Sequence, residues 1–197
     1  HNASGNFVLG ANTVTWTATD GSGNTATATQ TVTVVDNIDP TITAPANVTV
    51  NVDAGTCVAA VNGVTLGNPT AADNCSVTTA HNASGNFVLG ANTVTWTATD
   101  GSGNTKTATQ TVTVVDNIAP VASAKNITIQ LDANGDAATT AAAVNDGSSD
   151  NCAVTSMTLS KSAFTCADLA NGGANTVTLT VEDAAGLQHT ATATVTV

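Results

Sequence analysis

Residues 91–115 read ANTVTWTATDGSGNTKTATQTVTVV, and this stretch decides the fold. From Thr93 to Thr99 the residues Val94, Trp96 and Ala98 fall on one face and the threonines on the other, the period of two that marks a half-buried strand. Asp100-Gly-Ser-Gly-Asn104 supplies turn chemistry, after which Thr105 to Val115 alternates again with Ala108, Val112 and Val114 inward. The segment is therefore an antiparallel hairpin with one wet face. Trp96 is in phase with the buried valines, so it reads as a core residue rather than a ligand-stacking platform.

Working outward, residues 1–36 repeat residues 81–116 with one change, Ala26 for Lys106, which sets a period of 80. Trp16 accordingly carries the same core expectation as Trp96. Lys106 begins the strand after the turn, where its stem can extend past the rim, so an exposed side chain is expected there. A diverged copy follows: Asp150-Asn151-Cys152 echoes Asp73-Asn74-Cys75, and ANTVTLTVED from Ala174 echoes ANTVTWTATD from Ala91. Placing boundaries at the Asp-Asn-Ile-x-Pro segments gives 1–36 as the C-terminal half of a repeat, 37–116 as a complete repeat and 117–197 as a diverged one. The half repeat would expose its apolar face, and the chain is expected to be an excerpt of something longer. Thr41 to Val52, Val58 to Val64 and Ser76 to Ala80 read as further strands. Short strands, frequent turns and no helical period predict an all-β fold of tandem immunoglobulin-like antiparallel β-sandwiches.

Composition narrows the function. The formal charge is −11, the only cations are Lys106, Lys125 and Lys161, and no arginine is present. Such a field repels nucleic acid and anionic membranes, and no apolar run reaches the roughly 18 residues needed to span a bilayer. Neither a nucleic-acid partner nor membrane insertion of this segment is expected. His1 and His81 share one repeat position, His189 lies near the last strand, and no nucleophile, base and oxyanion donor are spaced as a catalytic motif, so the chain reads as a non-enzyme. Outward threonine rows (Thr13, Thr15, Thr17 and Thr19 beside Thr27, Thr29, Thr31 and Thr33) superficially suit ice binding, but two strands are narrow for a lattice match.

Four cysteines divide two per complete repeat, and the even count without metal-site spacing favours intradomain bonds, Cys57–Cys75 and Cys152–Cys166, in an oxidising compartment. The first pair sits awkwardly, because a plain up-and-down path puts Cys57 and Cys75 at opposite ends of a strand.

The segments PTITAPANVTVNVDAG, PTAADNCS and SGNFVLGANTVTWTATDGSGNTKTATQTVTVVDN together resemble the hyalin-repeat (HYR) family, of immunoglobulin-like class. The third repeat, with PVASAKNITIQLDANGDA, SSDNCAV and SAFTCADL, is similar to a related repeat of giant adhesins of gliding bacteria. The resemblance implies a secreted or cell-surface protein whose repeats act as a spacer in adhesion or gliding, as in adhesins exported by type IX secretion. Its implied partners are neighbouring repeats, lateral copies of the same filament, or a host or substratum surface; the alternative is a calcium-dependent ligand- or carbohydrate-binding module.

In an immunoglobulin-like topology the incoming linker, the loop after the second strand and the last hairpin turn share one end of the domain. For the middle repeat that end gathers Asp36, Asp39, Asp73 and Asp100, with Asn37, Asn74 and Asn104; for the third, Asp116, Asp150, Glu182 and Asp183, with Asn117 and Asn151. Calcium takes six to eight oxygen ligands in flexible geometry and would relieve such repulsion at either junction. The same residues also serve as turn caps, and the sequence leaves the two readings open. In the third repeat Ala185 and Leu187 replace turn residues, and Ala119 replaces Asp39.

Overall fold

The computed structural model describes residues 1–170 and 172–197. The first repeat contributes β1 (Gly10–Thr19) and β2 (Thr25–Val34), an antiparallel hairpin in which Thr19 pairs with Thr25 across the turn. The middle repeat contributes β3 (Thr41–Thr43), β4 (Val48–Asn51), β5 (Val58–Ala60), β6 (Thr70–Ala72), β7 (Val77–His81), β8 (Asn86–Val88), β9 (Gly90–Asp100) and β10 (Thr105–Val115). The third contributes β11 (Ile127–Thr128), β12 (Asp136–Ala138), α1 (Ala141–Val144), β13 (Val154–Leu159), β14 (Ala163–Thr165), β15 (Ala174–Asp183) and β16 (Gln188–Thr196).

The middle and third repeats share one topology. Four strands form the main sheet, in the order β4-β10-β9-β7 in the middle repeat and β11-β16-β15-β13 in the third. The first strand of each runs parallel to the last, Val48 opposite Val112 and Ile127 opposite Val195, while β7 on β9 and β13 on β15 are antiparallel. Short pairs, β3-β6 and β5-β8 or β12-β14, make the remaining sheets. The fold is all-β, a series of immunoglobulin-like sandwiches.

Two compact units account for the chain. One comprises residues 1–45, 67–82 and 95–109, and the other residues 46–66, 83–94 and 110–197. The first holds the β1-β2 hairpin, the β3-β6 pair and the pairing of β7 with the second half of β9. The second holds β4 on β10, the β5-β8 pair and the whole third repeat, whose core is Val144, Phe164, Val177, Ala193 and Val195 with Ile127, Ile129 and Leu159 packed against it.

The expected hairpin is present: Val94, Trp96 and Ala98 are buried, as are Val112 and Val114, and Lys106 is exposed. Trp16 departs from its core expectation. It is 48% exposed where Trp96 is 5% exposed, because the half repeat has no second sheet to cover it. The strand expected over Thr41–Val52 breaks at Pro45, whose missing N–H cannot join a ladder; β3 pairs with β6 and β4 with β10. That expected over Val58–Val64 stops at Ala60 and turns through a 3-10 helix, Val61–Gly63.

The disulfide pairing also departs from expectation. Cys57 is bonded to Cys152 of the third repeat, with Cα atoms 4.6 Å apart, and neither Cys57–Cys75 nor Cys152–Cys166 forms; Cys75 and Cys166 are free and exposed. The physical reason is placement: Cys57 lies in the turn before β5, against the third repeat within one compact unit, whereas Cys75 belongs to the other. Cys166 sits beside Gly135, its sulfur 3.8 Å from that carbonyl, away from the Asp150-Asn151-Cys152 loop.

Candidate junction sites

Each candidate site begins with an aspartate at the end of a repeat's last strand. At the first junction Asp36 bends the chain by accepting the Ile38 N–H on its Oδ1 (3.1 Å), and Asp73 accepts the Cys75 N–H on its Oδ2 (2.9 Å). These two local turns bring a carboxylate oxygen of Asp36, one of Asp73 and the Cys75 sulfur within 4.8 Å of one another. Asp100 closes the hairpin turn. Its Oδ1 accepts from the backbone of Ser102 and Asn104, and its Oδ2 accepts the Asn104 amide at 2.7 Å. The same amide reaches the Asp36 carbonyl at 3.2 Å, tying turn to linker.

The electrostatics follow from this crowding. The Asp36 carboxylate beside the Cys75 thiol, a hydrogen-bond acceptor, pushes the thiol above its usual range, with burial and the charges of Asp36, Asp73 and Asp100 adding to the effect. Burial works to raise the Asp100 carboxyl, but the Asn104 side chain and the turn amides outweigh it and hold the group below its ordinary value. Asp36 Oδ2 is buried, with no donor beyond the neighbouring Cys75 thiol. Asp39 is exposed and lies outside the cluster.

The second junction repeats the arrangement with different partners. Asp116 accepts the Ile118 N–H (3.1 Å), Asp150 accepts the amides of Cys152 and Ala153 (2.7 and 3.0 Å), and Asp116, Asp150 and Cys152 form the equivalent close group. Asp183 stands in register with Val154, two residues past Cys152, as Asp100 stands opposite Val77. Its Oδ1 accepts from the backbone N–H groups of Ala185 and Leu187, but the Leu187 side chain has no amide to offer its Oδ2 where Asn104 serves Asp100. Asp183 is 2% exposed. Four oxygens on these segments are buried without a partner: Asp116 Oδ2, Asp150 Oδ1, Asn151 Oδ1 and Asp183 Oδ2. The sulfur here is already bonded to Cys57, so no thiol proton is available to any of them. Glu182 turns away, accepting the Gln188 amide at 2.6 Å, and takes no part.

The junction is also clamped. Asn151 donates to the Thr56 carbonyl at 2.9 Å and to Asp116 Oδ1 at 3.4 Å, so the third repeat's loop is hydrogen-bonded to the same turn that carries Cys57. Closing a 95-residue separation, the disulfide contributes about 4.7 kcal/mol in the chain-entropy account. The inter-repeat bond and Leu187's effect on Asp183 are what sequence reading missed. The pattern of one Asp-Asn-Cys loop per repeat was the available signal for the first.

Gln110 was another silent residue. It is fully buried in β10, and its amide donates to the carbonyls of Ala46 (2.7 Å) and Leu66 (2.9 Å), fastening two loop segments to the sheet. Among the described residues no helix is long and apolar enough to cross a membrane.

Comparison with known proteins gives the same region a family. The HYR domain model matches residues 35–114. Hyalin of Strongylocentrotus purpuratus is 39% identical over 132 residues, 62% of this chain and 11% of that protein, and Hyalin of Lytechinus variegatus is 40% identical over 117 residues, 56% of this chain and 22% of that protein. The chain thus spans about a tenth of the first relative's length and about a fifth of the second's. Among solved structures, the extracellular cadherin domains 1–4 of Protocadherin Gamma B7 align with a TM-score of 0.43 at 17% identity, covering 95% of this chain and 57% of that one, a likeness too distant to bear on function. With the sandwich topology and the repeated junction motif, the match makes residues 35–114 a hyalin-repeat domain.

Proposed function

We propose that this chain is part of a long extracellular or cell-surface adhesion protein, in which repeats in series, 37–116 and 117–197 here, serve as a stiff spacer with calcium bound at their junctions. The observation that carries the reading is the set of buried, unpartnered oxygens of Asp116, Asp150, Asn151 and Asp183. A buried carboxylate with a free oxygen is strongly disfavoured unless a cation or a proton satisfies it. Every unpartnered donor is oxygen, and the one nearby sulfur is locked in a disulfide, so the set suits a hard cation such as calcium rather than zinc. Bound there, calcium would neutralise the carboxylates and link the end of one repeat to the loop and turn of the next. The Cys57–Cys152 bond supports the spacer role, since it removes a hinge, and it supports an oxidising, extracellular setting. The likeness to hyalins supports placement in an extracellular array.

Thermal unfolding of the 197-residue chain, with and without about 10 mM calcium, tests this. The expected result is a rise in Tm equivalent to about 2 kcal/mol, larger than magnesium gives. Asp183→Asn combined with Asp150→Asn should abolish the calcium response while leaving the calcium-free protein no less stable, because the change removes unsatisfied buried charge. An unchanged Tm in calcium, or an equal rise in the double variant, would discard the calcium reading.

A further inference from the structure

Two cysteines of this chain are exposed and free, and each has a counterpart elsewhere in the molecule that is bonded. Cys75 occupies in the middle repeat the position that Cys152 occupies in the third, the last residue of an Asp-Asn-Cys loop whose aspartate accepts the cysteine's own N–H: 2.9 Å for Asp73 and 2.7 Å for Asp150. Cys152 uses that position to reach back to the turn before β5 of the repeat ahead of it.

Cys166 is the counterpart of Cys57 by place rather than by alignment. In the middle repeat the turn from Asp53 leads into β5, with the Thr56 N–H donating to the Asp53 carbonyl, and Cys57 immediately precedes the strand. In the third repeat the turn from Asp132 leads into β12, with the Gly135 N–H donating to the Asp132 carbonyl, and Gly135 immediately precedes the strand. The turn of the third repeat is one residue shorter, closing from Asp132 to Asp136 where the other closes from Asp53 to Val58, so Gly135 matches Thr56 by its turn bond and Cys57 by its place directly before the strand. A Cβ built on Gly135 would lie 2.6 Å from the Cys166 sulfur. Cys166 follows β14, the partner of β12, and delivers its thiol from the adjacent strand to the spot that a turn cysteine would have filled.

We propose that junctions of this kind are cross-linked in series, each by one disulfide between the outgoing turn of one repeat and the Asp-Asn-Cys loop of the next. Cys75 and Cys166 are the complementary halves of two such links, Cys75 reaching back to the turn of a preceding repeat and Cys166 forward to the Asp-Asn-Cys loop of a following one. The partner in both cases is a repeat of this same kind. In each link two thiols lose two protons and two electrons to form one S–S bond; an external disulfide such as oxidised glutathione accepts the electrons by exchange and leaves as two thiols. The inference rests on the serial arrangement of repeats but not on calcium.

The test is a tandem chain in which residues 1–197 are followed directly by a second copy from Val35, which restores the strand-end sequence Val-Thr-Val-Val-Asp across the join. It is refolded with a glutathione redox pair without calcium, alkylated, and peptide-mapped without reduction. The expected map links Cys57 to Cys152 within each copy and Cys166 of the first copy to Cys75 of the second. Alkylation of that Cys166 should fall about tenfold below its level in the single chain, because the partner thiol is held at high effective concentration. Cys166→Ser in the first copy should return the second copy's Cys75 to full alkylation while the Cys57–Cys152 links persist. That pair is the internal control for folded junctions. Its formation without the Cys166–Cys75 link would overturn the proposal, as would a map showing Cys57–Cys75 or Cys152–Cys166 within a repeat.

Discussion

Residues 1–36 and 81–116 differ at one position, yet they live in different surroundings. Phe7 is 44% exposed and Phe87 7%; Trp16 is 48% exposed and Trp96 5%. Asn86–Val88 forms β8 against β5, while the identical Asn6–Val8 joins no strand. What survives unchanged is local. Asn12 and Asn92 each brace their loop with the same pair of bonds, an amide to the valine carbonyl at 2.6 and 2.7 Å and a carbonyl from the valine N–H at 3.0 Å in both. The His1–Trp16 and His81–Trp96 ring pairs sit 4.9 and 4.8 Å apart, both edge to face. Sequence therefore sets the hairpin and its caps, and burial of the second copy is supplied by the preceding residues 37–80.

The sharpest way to break that comparison is at tryptophan. Trp96→Ala should destabilise the middle repeat by about 4 kcal/mol in denaturant unfolding, the range for emptying a buried aromatic site. Trp16→Ala should cost about 1 kcal/mol or less, since half of that side chain is already in water. Equal losses would mean that the half repeat is covered in solution and that the contrast is false.

Glutamine gives a smaller but more specific contrast. Gln110 is fully buried and holds the Ala46 and Leu66 carbonyls, whereas Gln30 is exposed and its Oε1 accepts the Trp16 indole N–H at 3.0 Å. Gln110→Ala should cost about 2–3 kcal/mol, because it leaves two inward carbonyls without a donor. Gln30→Ala should stay within about 0.5 kcal/mol. Hydrogen exchange at the loop around Ala46 and Leu66, faster in the Gln110 variant alone, would locate the loss.

These contrasts mark how far the fold and its junctions were legible. The long hairpin was, because eleven-residue strands such as β9 and β10 carry several turns of a period-two pattern. The strands β6 and β8 were not: at three residues each they are too short to show alternation, and their pairing depends on β3 and β5 arriving from elsewhere in the chain. The acidic junction residues could be picked out by type, and Asp36, Asp73, Asp116 and Asp150 do converge in their two groups. Asp39 and Glu182 could not be excluded by type, since exposure and a competing Gln188 amide are matters of geometry. The disulfide is not legible within one repeat, because Cys57 bonds to a residue 95 positions on, in the repeat that follows.

The smallest expected effect separates local from tertiary control most cleanly. Asp20 lies in the exposed turn of the half repeat, where its Oδ1 accepts from Ser22 and Asn24 (2.9 and 2.8 Å) and its Oδ2 accepts the Asn24 amide (2.8 Å). The Asn24 side chain first, then the turn amides, hold its carboxyl below the ordinary 3.8. A depressed carboxyl stabilises the turn while ionised, so its contribution is complete above about pH 3.8 and disappears as the pH falls through the lower folded value. Titrating the Asp20 carboxyl by NMR should give a midpoint below 3.8, and Asn24→Ala should move it back up with no change at Trp96. A midpoint at or above 3.8 in the unaltered chain would mean that the half repeat does not keep even its own turn, so the identity between the two copies would end at the sequence.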